Sequence, residues 1–109
     1  MSSEALFAEL EGIVRRLRKD CPWDREQTHK SLRPSLIEET YEVVESIEEN
    51  DLPALKGELG DLLLHILLQA VIAEEEQAFT LPEVICWENK NRSTKYEFLK
   101  NVLNKKSEY

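Results

Sequence analysis

Residues 62–72 read LLLHILLQAVI, and only His65 and Gln69 interrupt the apolar run. A helix turns by about 100° per residue, so this run is hydrophobic on nearly all its sides. That pattern marks a helix buried on several faces, by its own domain or by another subunit. The run is too short and too interrupted to span a bilayer. Two acids enter the same helix, Glu58 and Asp61, at i,i+3 and on one face with Leu68 and Ile72. Carboxylates in apolar surroundings must be paired, protonated or bound to a cation.

Working outward, the chain reads as all-α. There are three glycines, no period-2 run of β-branched residues, and four prolines at positions that suit helix starts or loops. Ser3 is expected to cap a first helix over residues 4–17, with Leu6, Leu10, Ile13, Val14 and Leu17 as its apolar stripe. The stretch DCPWDREQTHKS, residues 20–31, contains Pro22, breaks the period and predicts a structured loop. A second helix follows from Ser31 or Arg33 to Asn50. Asp51 caps a third, with Pro53 in its first turn and residues 58–73 behind it. Thr80 and Glu83 form a capping-box pattern for a fourth, which ends near residues 89–93 before a basic amphipathic tail. Four to five helices with short connections predict a bundle-like fold. At 109 residues and 41% hydrophobic content, one domain over 1–109 is expected, with a core over about 4–90 and a helical tail over about 91–109.

The charge is unevenly placed. Residues 34–88 hold fourteen acids against one base, Lys56, and from Lys90 onward the sign reverses. The net charge of −8 argues against duplex nucleic acid as a partner. Cys21 and Cys86 lack zinc-type spacing and favour a reducing, cytoplasmic setting. The first residues lack a signal-peptide layout, and no membrane association is expected. On the second predicted helix, Leu36, Ile37, Tyr41, Val43, Val44 and Ile47 fall on an arc of about 160°. Glu38, Glu42, Glu45 and Glu49 lie opposite, with Glu39 on the flank. Alone, this would be an amphipathic helix with a solvated acidic face. Paired with the third helix, Glu39 and Glu42 at i,i+3 meet Glu58 and Asp61 at i,i+3. Four carboxylates facing one point suit Mg²⁺, a hard cation that keeps water and phosphate oxygens in its shell, and not zinc.

Glu38-Glu39-Thr40-Tyr41-Glu42, fifteen further residues, then Glu58-Leu59-Gly60-Asp61 resembles the EExxE…ExxD signature of the MazG-type, all-α nucleoside triphosphate pyrophosphohydrolases. The flanking CPWDREQTHKSLRPSLIEETYEVVESIE and ELGDLLLHILLQAVIAEEE are similar to the MazG branch, so the resemblance covers roughly residues 6–80. It implies Mg²⁺-dependent hydrolysis, with Mn²⁺ a substitute, of a nucleoside triphosphate to the monophosphate and pyrophosphate. By position it implies Glu39, Glu42, Glu58 and Asp61 as metal ligands, and Glu38 for a second metal or the attacking water. It also implies an obligate oligomer, a tight dimer or a dimer-of-dimers tetramer, in keeping with a third helix apolar on too many sides for a monomer. Lys90, Arg92 and Lys95 are similar in type to a basic stretch of the family, though out of register, and are candidate phosphate contacts.

Cleaving a phosphoanhydride requires neutralised charge and a positioned water. No P-loop is present, so metal and cationic side chains must supply the first. Glu38 or Glu42 then accepts the water's proton. Trp23 either stacks on the base or plugs the loop between the first two helices. His65 reads as a satisfied core or interface histidine, Glu45 as a solvated or ion-paired residue, and the single Glu26-to-His29 ExxH as no iron motif. The role expected is nucleotide-pool housecleaning. The alternatives are a pyrophosphatase for pyrimidine or modified nucleotides, or a non-catalytic helical interaction module.

Overall fold

A computed structural model describes the backbone of residues 1–107 and the side chains of residues 1–90, 97 and 100–104. Five helices follow one another: α1 (Ser3–Asp20), α2 (Pro22–Glu26), α3 (Arg33–Glu48), α4 (Leu52–Glu75) and α5 (Leu81–Ser107). Among the described residues there is no strand, and no helix is long and apolar enough to cross a membrane. α4 is the axis. α3 packs most extensively along it, then α1, and α5 least.

Local chemistry accounts for the boundaries, with some differences from expectation. Ser2, not Ser3, caps α1, its Oγ accepting from the Ala5 N–H at 3.1 Å. α1 continues to Asp20 and stops where Cys21, preceding Pro22, is extended. The expected loop holds the short helix α2, started by Pro22 at a position where a missing N–H costs nothing. Asp51 caps α4 as expected, accepting from the Ala54 N–H at 3.1 Å, and Thr80 Oγ1 accepts from the Glu83 N–H at 3.3 Å to open α5. α5 does not end near residues 89–93. It runs unbroken to Ser107, because nothing from Glu83 onward is a glycine or proline.

The C-terminal ends of α3 and α4 close in the same way. After α3, the N–H groups of Asn50 and Asp51 donate to Ile47 O and Ser46 O; after α4, those of Gln77 and Ala78 donate to Glu74 O and Ala73 O. These are Schellman closures, which require a left-handed residue, and Asn50 (φ 56°) and Gln77 (φ 58°) occupy it. Asparagine tolerates this conformation, whereas glutamine is strained by about 1 kcal/mol. Gln77→Gly is therefore expected to stabilise the fold by roughly 0.5–1 kcal/mol, read as a raised urea midpoint. A lowered midpoint would show that the Gln77 side chain contributes more than the strain costs.

The core gathers around the C-terminal half of α4. Leu67, Leu68, Ala70, Val71 and Ile72 pack with Val14 of α1, Leu32 and Leu81. Full burial begins only at Leu67, so Glu58 is half-buried and Asp61 exposed, not enclosed as the apolar run suggested. The orientation of α3 also differs from its amphipathic pattern. Ile37, Tyr41, Val44 and Ile47 point outward, at 71%, 67%, 45% and 54% exposure. Leu36, Glu39, Glu42 and Val43 are half-buried and Ser46 is buried, so the seam with α4 runs through the acids and the apolar arc is left outside.

Candidate metal centre

Three carboxylates from two helices meet on that seam. Glu39 of α3 and Glu58 and Asp61 of α4 each bring an oxygen to within 4.8 Å of the others. The i,i+3 spacing of Glu58 and Asp61 puts both on the face of α4 that meets α3. Glu39 Oε1 and Glu58 Oε2 are shielded from solvent and have no hydrogen-bond partner among the described residues. Leaving such atoms unmatched is costly, and a cation removes the cost. The donors are all hard oxygens, and oxygens facing each other across Mg²⁺ stand about 4.2 Å apart at bond lengths of about 2.1 Å. Adjacent oxygens on the same ion stand about 3.0 Å apart, so the three carboxylates would close in on it, and a set of hard oxygens from two helices fits the metal.

Glu42 joins the same group. Its pKa lies above the ordinary value of 4.5, first through the close approach of the Glu58 carboxyl, then through burial and the charges of Glu58, Glu38 and Asp61. That of Glu58 is also raised, chiefly by the close approach of the Glu39 carboxyl. The contact with Glu42 opposes the shift, and burial and the charges of Glu39 and Asp61 add to it. In the metal-free protein both side chains are charged, and repelled, above their raised pKa values. As pH falls through those values the folded chain binds protons that the unfolded chain, with pKa near 4.5, does not yet bind. The pair therefore makes the fold more stable on mild acidification and less stable as pH rises. Urea midpoints of metal-free protein, followed from about pH 7.5 to about pH 5, should shift in that direction relative to Glu58→Gln. Excess Mg²⁺ should abolish the difference, and a difference of opposite sign would contradict the shared cluster.

The other predicted residues are placed as follows. Glu38 is exposed at the rim, and Glu45 is exposed one turn on. Trp23 is 58% exposed, which rules out a loop plug, and its side chain edges a small hollow shared with Leu64 and His65. Lys90 is exposed on α5, while the side chains of Arg92 and Lys95 lie outside the described residues. His65 is not satisfied as a core histidine, since its Nδ1 is buried without a hydrogen-bond partner among the described residues. His29 of the ExxH contacts Gln69 Oε1 through Nδ1 and Glu76 through Nε2 at 3.4 Å, tying the loop to α4.

Arg18 carries more of the site's scaffold than the sequence signalled. Its Nη1 donates to Asp24 O and Gln27 O at 2.7 Å each, and its Nε donates to Glu75 Oε2 at 2.8 Å. One guanidinium thus ties α1 and the loop carrying Trp23 to α4. Only an arginine's fork of donors can serve three such acceptors at once.

A sequence model of the MazG nucleotide pyrophosphohydrolase domain matches residues 27–95, from the loop after α2 into α5. The chain belongs to the MazG nucleotide pyrophosphohydrolase family. It is 51% identical over 82 residues to the nucleoside triphosphate pyrophosphohydrolase/pyrophosphatase MazG of Thermotoga maritima, covering 73% of this chain and 32% of that protein. It is 44% identical over 75 residues to the nucleoside triphosphate pyrophosphohydrolase of Escherichia coli K12, covering 66% of this chain and 28% of that one. The chain thus spans about a third or less of the length of these relatives. The crystal structure of a mazG-related protein from Thermotoga maritima superposes with a TM-score of 0.71 at 31% identity, over 79% of this chain and 75% of that one.

Proposed function

We propose that this MazG domain hydrolyses nucleoside triphosphates to the monophosphate and pyrophosphate, using Mg²⁺ or Mn²⁺ held by Glu39, Glu42, Glu58 and Asp61. The observation that carries the proposal is the convergence of Glu39, Glu58 and Asp61 from two helices, two of them with oxygens the fold leaves unmatched. When bound, the ion supplies charge neutralisation for the triphosphate and a lowered pKa for the attacking water. The protein's own part is to fix the acids on two packed helices, so that no side-chain ordering is needed as substrate arrives. Glu38, exposed at the rim, or Glu42, deeper in the seam, takes the proton from that water. Trp23 gives an aromatic face for the base, and Lys90, Arg92 and Lys95 give cations for the phosphates. Removing aberrant nucleotides from the cytoplasmic pool is the role that follows.

The domain acts as a homodimer or a dimer of dimers. Ile37, Tyr41, Val44 and Ile47 form an exposed apolar stripe on α3, more than a monomer's surface ordinarily leaves in one line. Incubation with Mg²⁺ and each canonical and damaged triphosphate, followed by ³¹P NMR, tests the reaction. Equal amounts of monophosphate and pyrophosphate are expected. Diphosphate with inorganic phosphate, or no product from any substrate, would overturn it.

A further inference from the structure

Trp23 is 58% exposed, so the packing of its own ring does little to hold it. The helix that carries it, α2, has five residues, and helices so short do not persist by themselves. Yet the indole has a defined place. It edges a hollow of about 90 Å³ with Leu32 and with Leu64, His65 and Leu68 of α4. Leu64 and His65 stand at i+3 and i+4 from Asp61, so the indole meets α4 about one turn beyond the acid cluster. What holds Trp23 there includes the stretch Gln27-Thr28-His29, which the metal centre does not use. Gln27 Nε2 donates to Trp23 O at 3.0 Å, and Gln27 Oε1 accepts from Ser31 Oγ at 2.8 Å. The N–H of Thr28 donates to Ser31 Oγ at 2.8 Å, and that of Ser31 donates to Thr28 Oγ1 at 3.0 Å. His29 reaches Gln69 of α4 and Glu76 just past it, while Arg18 holds the carbonyls of Asp24 and Gln27. One amide thus joins the residue bearing the indole to a turn that is itself pinned to α4.

We infer that Gln27 positions Trp23 as the face on which the substrate's base stacks. A platform fixed before the substrate arrives spares the complex the cost of ordering it. Stacking on an aromatic face tolerates any base, so Gln27 sets affinity for nucleotides in general and not a choice among them. This rests on the triphosphate reading of the acid cluster, with Trp23 as the base contact, and names the residue on which that contact depends.

The test is the steady-state kinetics of one purine and one pyrimidine triphosphate with the wild-type chain, Gln27→Glu, Trp23→Ala and the double variant, all checked for helicity by circular dichroism. Glutamate keeps the acceptor for Ser31 and removes the donor to Trp23 O. It should raise KM about three- to tenfold, the worth of one hydrogen bond, for both substrates, with kcat unchanged. In Trp23→Ala, where KM is already raised about tenfold or more, the same change should add nothing, because Gln27 acts through the lost ring. Binding of Mg²⁺ with inorganic tripolyphosphate, which has no base, should be the same in all four proteins. Ser31→Ala, which frees the other end of the Gln27 amide, should raise KM by less and gives the answer if Gln27→Glu does not fold. An unchanged KM in Gln27→Glu would overturn the inference, as would an equal rise in the Trp23→Ala background. A fall in kcat or in tripolyphosphate binding would also overturn it, since a general loss of structure moves both. Nucleotide turnover and tripolyphosphate binding that persist with KM unmoved by Trp23→Ala would sink the platform and leave the acid cluster standing. A wild-type chain that neither binds tripolyphosphate nor turns over a nucleotide would sink both.

Discussion

Glu58→Gln is expected to lower kcat/KM for triphosphate hydrolysis by at least about a hundredfold and, in the same protein, to raise the melting temperature of the metal-free fold. The two effects have one cause. Glu58 is the acid in contact with both Glu39 and Glu42, so it bears the most like-charge repulsion when no cation is present. Glutamine keeps the shape and removes the charge, which relieves the fold and weakens the ion's hold. Stability stored against function at a binding site commonly shows this opposition. Asp61→Asn should reduce activity similarly, whereas Glu49→Gln, exposed at the end of α3, should change it little. Equal losses in all three would undo the assignment of the acids to one site. A lowered metal-free melting temperature in Glu58→Gln would undo the repulsion argument.

Arg18→Ala should be the most destabilising change of a single polar side chain in the domain, on the order of 2–4 kcal/mol. The guanidinium side chain is 13% exposed, and its removal takes the donor from the Gln27 carbonyl and leaves the Asp24 carbonyl with only the Gln27 N–H. The contact with Glu75 adds less, since that carboxylate is about half exposed and water screens it. A drop in melting temperature of roughly 10 °C is the observable. Arg18→Lys should recover only part of it, because a single ammonium cannot reach two carbonyls and a carboxylate together. A drop no larger than that of Arg16→Ala, at an exposed position of the same helix, would show that water replaces the lost bonds.

The helices were legible because their signals are local. Asp51 and Thr80 each bond a backbone N–H within the next three residues, and Pro22 stops α1 by its own ring. The pairing of acids across α3 and α4 was legible for the same reason, since i,i+3 spacing fixes a face whatever that face meets. The orientation of α3 was not. Its apolar arc suggested that Ile37, Tyr41, Val44 and Ile47 would face the core, but Glu39 and Glu42 lie on the inner side. Amphipathic pattern identifies an apolar face without saying whether that face meets the same chain or another surface. The depth of Glu58 and Asp61 was overread from the run at 62–72 in the same way, since burial depends on neighbours that begin only at Leu67. Arg18 to Glu75 is a contact across 57 residues, and no local rule singles out one arginine among three within residues 15–18.

Electron paramagnetic resonance of Mn²⁺ titrated into the wild-type chain and into Glu58→Gln tests the cluster most directly, because free and bound Mn²⁺ give different signals without any turnover. The wild-type chain should remove free Mn²⁺ at a saturable site, be competed by Mg²⁺, and bind at least about tenfold more tightly than Glu58→Gln. Indistinguishable titrations of the two proteins would contradict a metal held between α3 and α4.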